Sequence, residues 1–487
     1  MRDRLKKLYH TLTKVAGLLG IDPAVAYAVI ARGWGLLAGP VTILLITTRF
    51  SPELQGYYYT FNSIIGFNIL FELGLSNVLI QFASHEWALL RLERDGTITG
   101  DSNALSRLAS LTRLSLLWYL VMCSLLAVGL CAAGSIFFAR SSQGAISWQG
   151  PWFTLCILSS LSLSATPLTA ILTGCNHVKE ISLFRVYQAI FFNAAIWIAI
   201  LAGAELWTGP IASAVIILWT AAFLTAHYRK FYHQLLQPFN GEVISWREEI
   251  LPFQWRMATS WLFGFLNTNL YIPVLFYYKG AVAAGQMGIT WALINAVSEV
   301  SFNWVTTKIP QFGIYIAQKS YSALDSLYYR ASRLSFFVLV AGNLLIAGGV
   351  WILNALHNPL AARFLPFLPT VLFLVVSTGN NIVGNMANYL RAHKKEPYLV
   401  TSILGGIASA IITFTLGSRY GAPGIAAGSL VLACLFFVPN VLIFLRCKAV
   451  WHRDAQSEKL PDQSIVPQGG AGTHGQSREP AGEEFLP

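Results

Sequence analysis

The sequence predicts an all-α integral membrane protein of about twelve transmembrane helices, arranged as two six-helix, pseudo-symmetric lobes around a central cavity. Three observations carry that expectation: the scarcity of charge, the recurrence of apolar runs of spanning length, and a short pattern that occurs once in each half of the chain. Of the 487 residues 55% are hydrophobic and 11% are charged, whereas a soluble domain carries roughly 25% charged residues. Most of such a surface must meet lipid. The apolar runs follow one another from about Ala24 to Leu445 with no polar domain between them.

A helix needs about twenty apolar residues to cross a hydrocarbon core of about 30 Å. Runs of that length lie near 25–48, 57–83, 111–134, 151–172, 186–203, 209–227, 253–278, 285–307, 334–354, 366–389, 398–417 and 422–445. Lys and Arg orient them, because basic residues near span ends resist translocation. One set of loops holds most of these residues, among them Arg2, Arg4, Lys6, Lys7, Arg91, Arg94, Arg229, Lys230, Lys394 and Lys395. The other set holds Arg49, Arg140, Lys279, Arg363 and Arg419. The asymmetry places both termini on the cytoplasmic side of the expected bacterial cytoplasmic (inner) membrane, and it accounts for the net charge of +11 without a nucleic-acid partner. Membrane lipids are its expected surroundings.

The chain divides accordingly. Residues 1–24 form a basic, amphipathic cytoplasmic segment with Leu5, Leu8, Leu12, Val15 and Leu19 at helical spacing. Residues 25–228 form the N-lobe, 229–252 a cytoplasmic linker, 253–446 the C-lobe, and 447–487 a Pro/Gly-rich tail expected to be disordered. The six cysteines are scattered without a C-x-x-C pair, so neither zinc nor a disulfide framework is indicated. No G-x-S-x-G, H-E-x-x-H or Walker-type loop occurs, and the loops of the less basic side are short, so the sequence favours a transporter over an enzyme. No cofactor is expected.

The halves repeat one another. His177-Val-Lys-Glu180-Ile-Ser-Leu183 precedes span five, and His393-Lys-Lys-Glu396-Pro-Tyr-Leu399 precedes span eleven. Gly209-Pro-Ile-Ala212 and Gly424-Ile-Ala-Ala427 follow in register, as do Pro40 with Pro273 and Gly56 with Gly288. Parallel repeats of this kind set two bundles face to face about an axis along the membrane normal, and rocking one against the other opens the cavity to each side in turn.

Ionisable groups at membrane depth are costly, so each marks a pathway or a pair. Arg32 lies in span one before Gly33, Gly35, Gly39 and Pro40. It either faces the cavity, where it suits a phosphate, or snorkels to the headgroups. Span seven carries Arg256, Ser260, Asn267 and Tyr271 at helical spacing, and span eight carries Asn295, Glu299 and Asn303, with Lys308 beyond them. Asn, Ser and Tyr suit sugar hydroxyls, and Glu299 is a candidate for titration or cation binding during a cycle; Asn residues also serve as interhelical glue. Thr378, Asn381, Asn385 and Asn388 in span ten read as helix packing.

Three stretches stand out: Ser51-Pro-Glu-Leu-Gln-Gly56-Tyr leading to Phe71-Glu-Leu-Gly-Leu75, Gln286-Met-Gly288-Ile with Lys308-Ile-Pro310, and Tyr389-Leu-Arg-Ala392-His-Lys-Lys395 with Tyr420-Gly-Ala-Pro-Gly424-Ile-Ala426. In these, in their order and in the twelve-span plan the chain resembles the Wzx-type polysaccharide flippases of the MOP (multidrug, oligosaccharidyl-lipid, polysaccharide) exporter superfamily. The resemblance implies two lobes, alternating access, and translocation of an undecaprenyl-pyrophosphate-linked oligosaccharide for surface polysaccharide or lipopolysaccharide synthesis. It further implies a cationic cavity in which Arg32 and Arg256 meet the pyrophosphate, proton or sodium coupling with Glu299 as the positional candidate, and glycan polymerase and export components as partners. The alternatives are a MATE-like ion-coupled small-molecule exporter and a membrane glycan polymerase or ligase.

Overall fold

The computed structural model describes residues 23–72, 75–93, 96–141, 146–237, 241–250, 262, 269–393, 395 and 397–457. Pro23–Arg49 forms α1, and the second expected span is broken into α2 (Pro52–Ile65), α3 (Asn68–Glu72) and α4 (Leu75–Trp87). After a hairpin of β1 (Leu90–Leu92) and β2 (Ile98–Gly100) come α5 (Ser102–Ser141), α6 (Gln149–Ser164), α7 (Thr166–Gly174), α8 (Val178–Leu201) and α9 (Thr208–Leu236). The second half holds α10 (Tyr271–Lys279), α11 (Ala281–Thr306), α12 (Ile309–Ala317), α13 (Tyr321–Ala355), α14 (Phe367–Ala392), α15 (Leu399–Tyr420) and α16 (Ala422–Ser457).

Among the described residues, nine helical segments are long and apolar enough to cross a membrane. The other three expected spans correspond to α1, to the broken α2–α4 stretch, and to 253–278, of which α10 is the main described part. The N-terminal segment before Pro23 lies outside the described residues. α16 runs through Ser457, so the first residues of the expected tail are helical, and the rest of that tail lies outside the description.

Breaks in the helices follow local chemistry. Ser51 caps α2 by accepting from the Leu54 amide at 3.1 Å, with Pro52 in the first turn, where its missing N–H goes unneeded. Pro167 opens α7 just after the join with α6 at Ala165. The hairpin, which apolar periodicity does not announce, is held by Gln234 of α9: its amide donates to Ile98 O at 2.8 Å and its oxygen accepts from Ile98 N at 2.7 Å. One side chain thereby takes the place of a third strand.

Helix packing repeats between the halves. α1 packs on α8, α8 on α9 and α6 on α9; correspondingly α10 packs on α15, α15 on α16 and α14 on α16. This is a two-lobe architecture in which the internal sequence repeat is also a packing repeat.

The lobes meet chiefly where α2 crosses α11, with α10 against α2 and α5 beside it. All these contacts gather toward the end of the bundle that holds the α1–α2 and α10–α11 junctions, away from the basic loops. Backbones touch there: a Cβ on Gly56 would lie 1.9 Å from Ala281 O, one on Gly285 2.9 Å from Gly56 N, and one on Gly288 2.4 Å from the Tyr59 side chain. The Gly56 and Gly288 of the repeat thus serve one interface, each admitting the partner helix. Side chains then tie the seam to main-chain oxygens. Gln55 Nε2 donates to Gly285 O at 2.8 Å and to Arg363 O at 3.1 Å, Arg363 Nη2 donates to Phe50 O at 2.5 Å, and Gln286 Nε2 donates to Ala362 O at 3.0 Å. Beside them Tyr57, Phe61, Phe138, Trp152 and Phe276 form one ring cluster, with Tyr57 and Phe276 centroids 4.9 Å apart across the lobes.

Because no side chain fits between Gly56 and Ala281 O, replacing Gly56 by Leu should push the lobes apart at this end. Overpacking of this kind costs about 1–3 kcal/mol. The expected readout is a lower unfolding midpoint, with faster labelling by a membrane-impermeant maleimide of a cysteine placed at Gln286; an unchanged midpoint and labelling rate would mean the seam is not closed in the protein.

Candidate binding site

The structure separates the expected site residues. Arg256 and Asn267 lie outside the described residues, and Arg32 lies in α1 where the backbone alone is described. On α11, Asn295 and Glu299 are exposed and Asn303 and Lys308 are half-buried. α2 touches α11 at Ala281, Gly285 and Gly288, and Asn295 and Glu299 come about two to three turns later, each about 100° around the helix from the buried Ile294 and the half-buried Ser298. Among the described residues neither has a hydrogen-bond partner. Tyr271 is elsewhere. It is buried at the start of α10, with its hydroxyl 3.2 Å from Ser429 Oγ of α16.

The span-ten stripe is structural, as its spacing suggested. Asn381 Nδ2 donates to Ser301 Oγ at 3.0 Å, Ser335 Oγ donates to Asn381 Oδ1 at 3.2 Å, and Asn385 Nδ2 donates to Ser335 Oγ and Asn381 Oδ1, each at 3.1 Å. Asn343 Nδ2 donates to Leu374 O at 3.2 Å and to Thr378 Oγ1 at 3.1 Å. Small polar residues on α11, α13 and α14 are thereby cross-linked in a buried layer, because at this depth water cannot satisfy them.

The adjacent face of α14 behaves differently. Gly379, Asn380 and Val383 face a partly open cavity of about 200 Å³ between α14, α15 and α16 of the second lobe, with Tyr271 at one end. Tyr271, Ser409 and Ser429 mark its deep end, and Tyr398, Thr401 and Asn440 its end toward the basic loops. At that end Thr401 Oγ1 donates to Asn440 Oδ1 at 2.8 Å and Tyr398 donates to Asn440 O at 2.8 Å. The Asn380 amide in mid-helix and the Ser402 hydroxyl, next to Thr401, are exposed at the cavity and have no hydrogen-bond partner among the described residues. Phe436 and Phe437 supply apolar wall. Gly379 and Gly405 also line it, and among the described residues a Cβ on either would meet nothing within 4 Å. Glycine inside a helix costs about 1 kcal/mol relative to alanine. At these two positions no close approach requires it, so the effect of glycine is to leave the space open.

Of the site residues expected from sequence, Tyr271 alone among those described lines this cavity. Asn380, Ser402, Ser429 and Asn440 escape a reading of the sequence because each is a single polar residue in an apolar run and their juxtaposition needs three helices. The weak signal is Gly379-Asn380 and Gly405-Gly406, each pair placing glycine at the middle of a span.

The repeated histidines occupy equivalent corners. His177 precedes α8, its ring 5.3 Å from Tyr228 of α9 and 6.2 Å from Trp87. His393 follows α14, its ring 4.3 Å from Trp451 of α16 and 5.3 Å from Tyr389. In both, Nε2 is buried without a partner among the described residues. Burial, the largest cause in each, holds both below the ordinary histidine range; Glu180 opposes it at His177, and the Tyr389 carbonyl opposes it at His393, where His452 and Lys395 add to the lowering. Each histidine therefore packs as a neutral ring that fastens the last helix of its lobe.

Comparison with known proteins follows the same lines. No protein-family profile matches the chain, and no curated protein matches it by sequence. Solved structures do match. The lipid II flippase MurJ, in an inward closed conformation, superposes with a TM-score of 0.59 at 14% identity, covering 90% of this chain and 93% of the flippase. An inward-facing multidrug resistance MATE transporter of the MOP superfamily gives 0.57 at 11% identity, covering 89% of this chain and 100% of the transporter. The MATE multidrug transporter DinF-BH gives 0.55 at 14% identity, covering 88% of this chain and 96% of that transporter. The fold is that of the MOP-superfamily transporters. At these identities the likeness speaks for the fold alone.

Two expectations follow. Asn381→Ala takes one hydrogen bond each from Ser301, Ser335 and Asn385 in the buried layer and should lower stability by about 1–3 kcal/mol, whereas Asn295→Ala should stay within about 0.5 kcal/mol, measured as unfolding midpoints in one detergent. For the histidines, a folded-state pKa below the unfolded value of 6.5 means the unfolded chain binds more protons in acid. Stability should therefore be unaffected above that value and fall as pH drops below it. The double variant His177→Phe, His393→Phe should flatten the decline, and an equally steep loss in the variant would show that other groups cause it.

Proposed function

We propose that this protein is a membrane exporter that works by alternating access between its two lobes. The observation that carries the reading is the seam: the lobes touch backbone to backbone at one end, where Gly56 of α2 meets Ala281 and Gly285 of α11, and the exposed Asn295 and Glu299 lie farther along α11. The basic end is the cytoplasmic one by the bias of Lys and Arg, which places both termini in the cytoplasm of a bacterial inner membrane. The state described is then closed outward. The lobes comprise residues 25–228 and 253–446, joined by the linker 229–252, with the segment 1–24 and the tail from 447 on the cytoplasmic side.

For the cargo, we propose an undecaprenyl-pyrophosphate-linked oligosaccharide, translocated for surface polysaccharide synthesis in the manner of a Wzx-type flippase. Support comes from the cationic residues Arg32 and Arg256 at membrane depth, suited to pyrophosphate, and from the structural likeness to a lipid II flippase. Asn267, Tyr271, Asn295, Asn303 and Lys308 are the proposed polar contacts, Glu299 the proposed proton or sodium coupling group, and a glycan polymerase with export components the proposed partners. A second reading, an ion-coupled small-molecule exporter, has the more direct company: two of the three structures reported above are multidrug transporters.

Removal of the gene separates the two. A flippase predicts lipid-linked repeat units trapped in the cytoplasmic leaflet with loss of surface glycan, and complementation by Arg32→Ala or Glu299→Gln should lower translocation at least about tenfold, the scale of a lost charged contact. Normal surface glycan together with heightened sensitivity to toxic small cations would instead establish the second reading.

A further inference from the structure

The cavity inside the second lobe is used neither by the seam nor by the α11 stripe, and its lining specifies an occupant. We propose that it is a subsite for one uncharged sugar ring. The inference deepens the exporter reading by naming a chemical group of its cargo, and it rests on that reading for the route by which the ring arrives.

Size is the first constraint. About 200 Å³ corresponds to roughly six or seven waters at ~30 Å³ each and falls short of the ~300–1,000 Å³ of drug-sized sites. A single ring fits inside, and the further rings of an oligosaccharide would lie outside it. Charge is the second. Among the described residues no ionisable side chain other than two tyrosines lines the cavity, so a phosphate, carboxylate or ammonium entering it would lose hydration with no counter-charge. Polarity is the third. An acyl chain would strand the Asn380 amide and the Ser402 hydroxyl, which face the cavity from α14 and α15 without partners among the described residues.

A pyranose meets all three conditions. Its vicinal hydroxyls both donate and accept, as the Asn380 amide and the Ser402 hydroxyl require, and its C–H face suits the aromatic wall of Phe436 and Phe437. Gly379 and Gly405 keep the volume free from opposite helices. The position adds a direction, since the cavity runs from Tyr271 and Ser429 toward Tyr398 and Asn440, that is, from mid-lobe toward the basic end.

The test uses the full-length protein in phosphatidylethanolamine and phosphatidylglycerol nanodiscs, with the methyl α-pyranosides of glucose, galactose, mannose and N-acetylglucosamine as probes. Sugars also stabilise proteins by exclusion from the surface, so the readout is a saturable rise in unfolding midpoint rather than a linear one. Gly405→Leu sends a side chain into the open space from a helix that favours leucine, and Asn380→Leu removes the amide; unliganded midpoints and elution profiles check that both fold. We expect at least one glycoside to give a saturable rise in the wild type and its apparent affinity to fall at least about tenfold in either variant that folds. No saturable rise with any of the four, or one that both variants retain, overturns the subsite. The two readings fail separately. Loss of transport on gene removal but not in Gly405→Leu sinks the subsite and leaves the exporter, whereas saturable glycoside binding with no transport defect on gene removal sinks the exporter and leaves the subsite.

Discussion

Two backbones in contact at Gly56 and Gly285 set the terms for the rest of this molecule. With no side chain between them, α2 and α11 approach closely enough for Gln55 to reach the Gly285 carbonyl, and for the Arg363 loop to reach back to Phe50. Interhelical attraction in lipid has little hydrophobic drive behind it, so small residues and side-chain-to-carbonyl hydrogen bonds supply the adhesion. Adhesion of that kind is local. It fixes the lobes at one end and leaves their other ends to be positioned by what each lobe packs against internally.

Polar groups at membrane depth are used in three distinct ways. The layer of Asn381, Asn385, Ser301 and Ser335 is cross-linked across three helices and acts as mortar. Asn295 and Glu299 are left without partners among the described residues, on the far side of α11. Asn380 and Ser402 line a cavity that two glycines keep vacant. The same residue types thus serve packing, an exposed stripe and a pocket, and the difference lies in which neighbouring helix faces them. Asn380 and Asn381 are adjacent in the chain and differ entirely in role, because one residue of helix rotates the side chain by about 100°.

The duplicated histidines show how the repeat is used at the opposite end. Each packs between the start of one helix and the last helix of its lobe, against aromatic rings. Burial disfavours the charged form of each imidazole. Packing at that end stays within each lobe, while the seam at the other end relies on uncharged amides, one guanidinium and main-chain oxygens.

The sequence by itself determined the class of the molecule. Scarce charge and apolar runs of spanning length leave a membrane bundle as the way to satisfy backbone hydrogen bonds in lipid, and the H-x-K-E pattern, Gly56 and Gly288 announced the two related halves. The packing role of the span-ten asparagines was legible too, from their three-and-four spacing. Tertiary structure decided the remainder: that the second span is broken, that Gln234 pins a hairpin, that α2 meets α11, and that Tyr271 belongs with Ser429 and Asn380 rather than with the α11 stripe. The physical reason is periodicity. Helical spacing reports which residues share a face of one helix, whereas a cavity or a seam is a property of two or three helices whose relative rotation no single segment encodes.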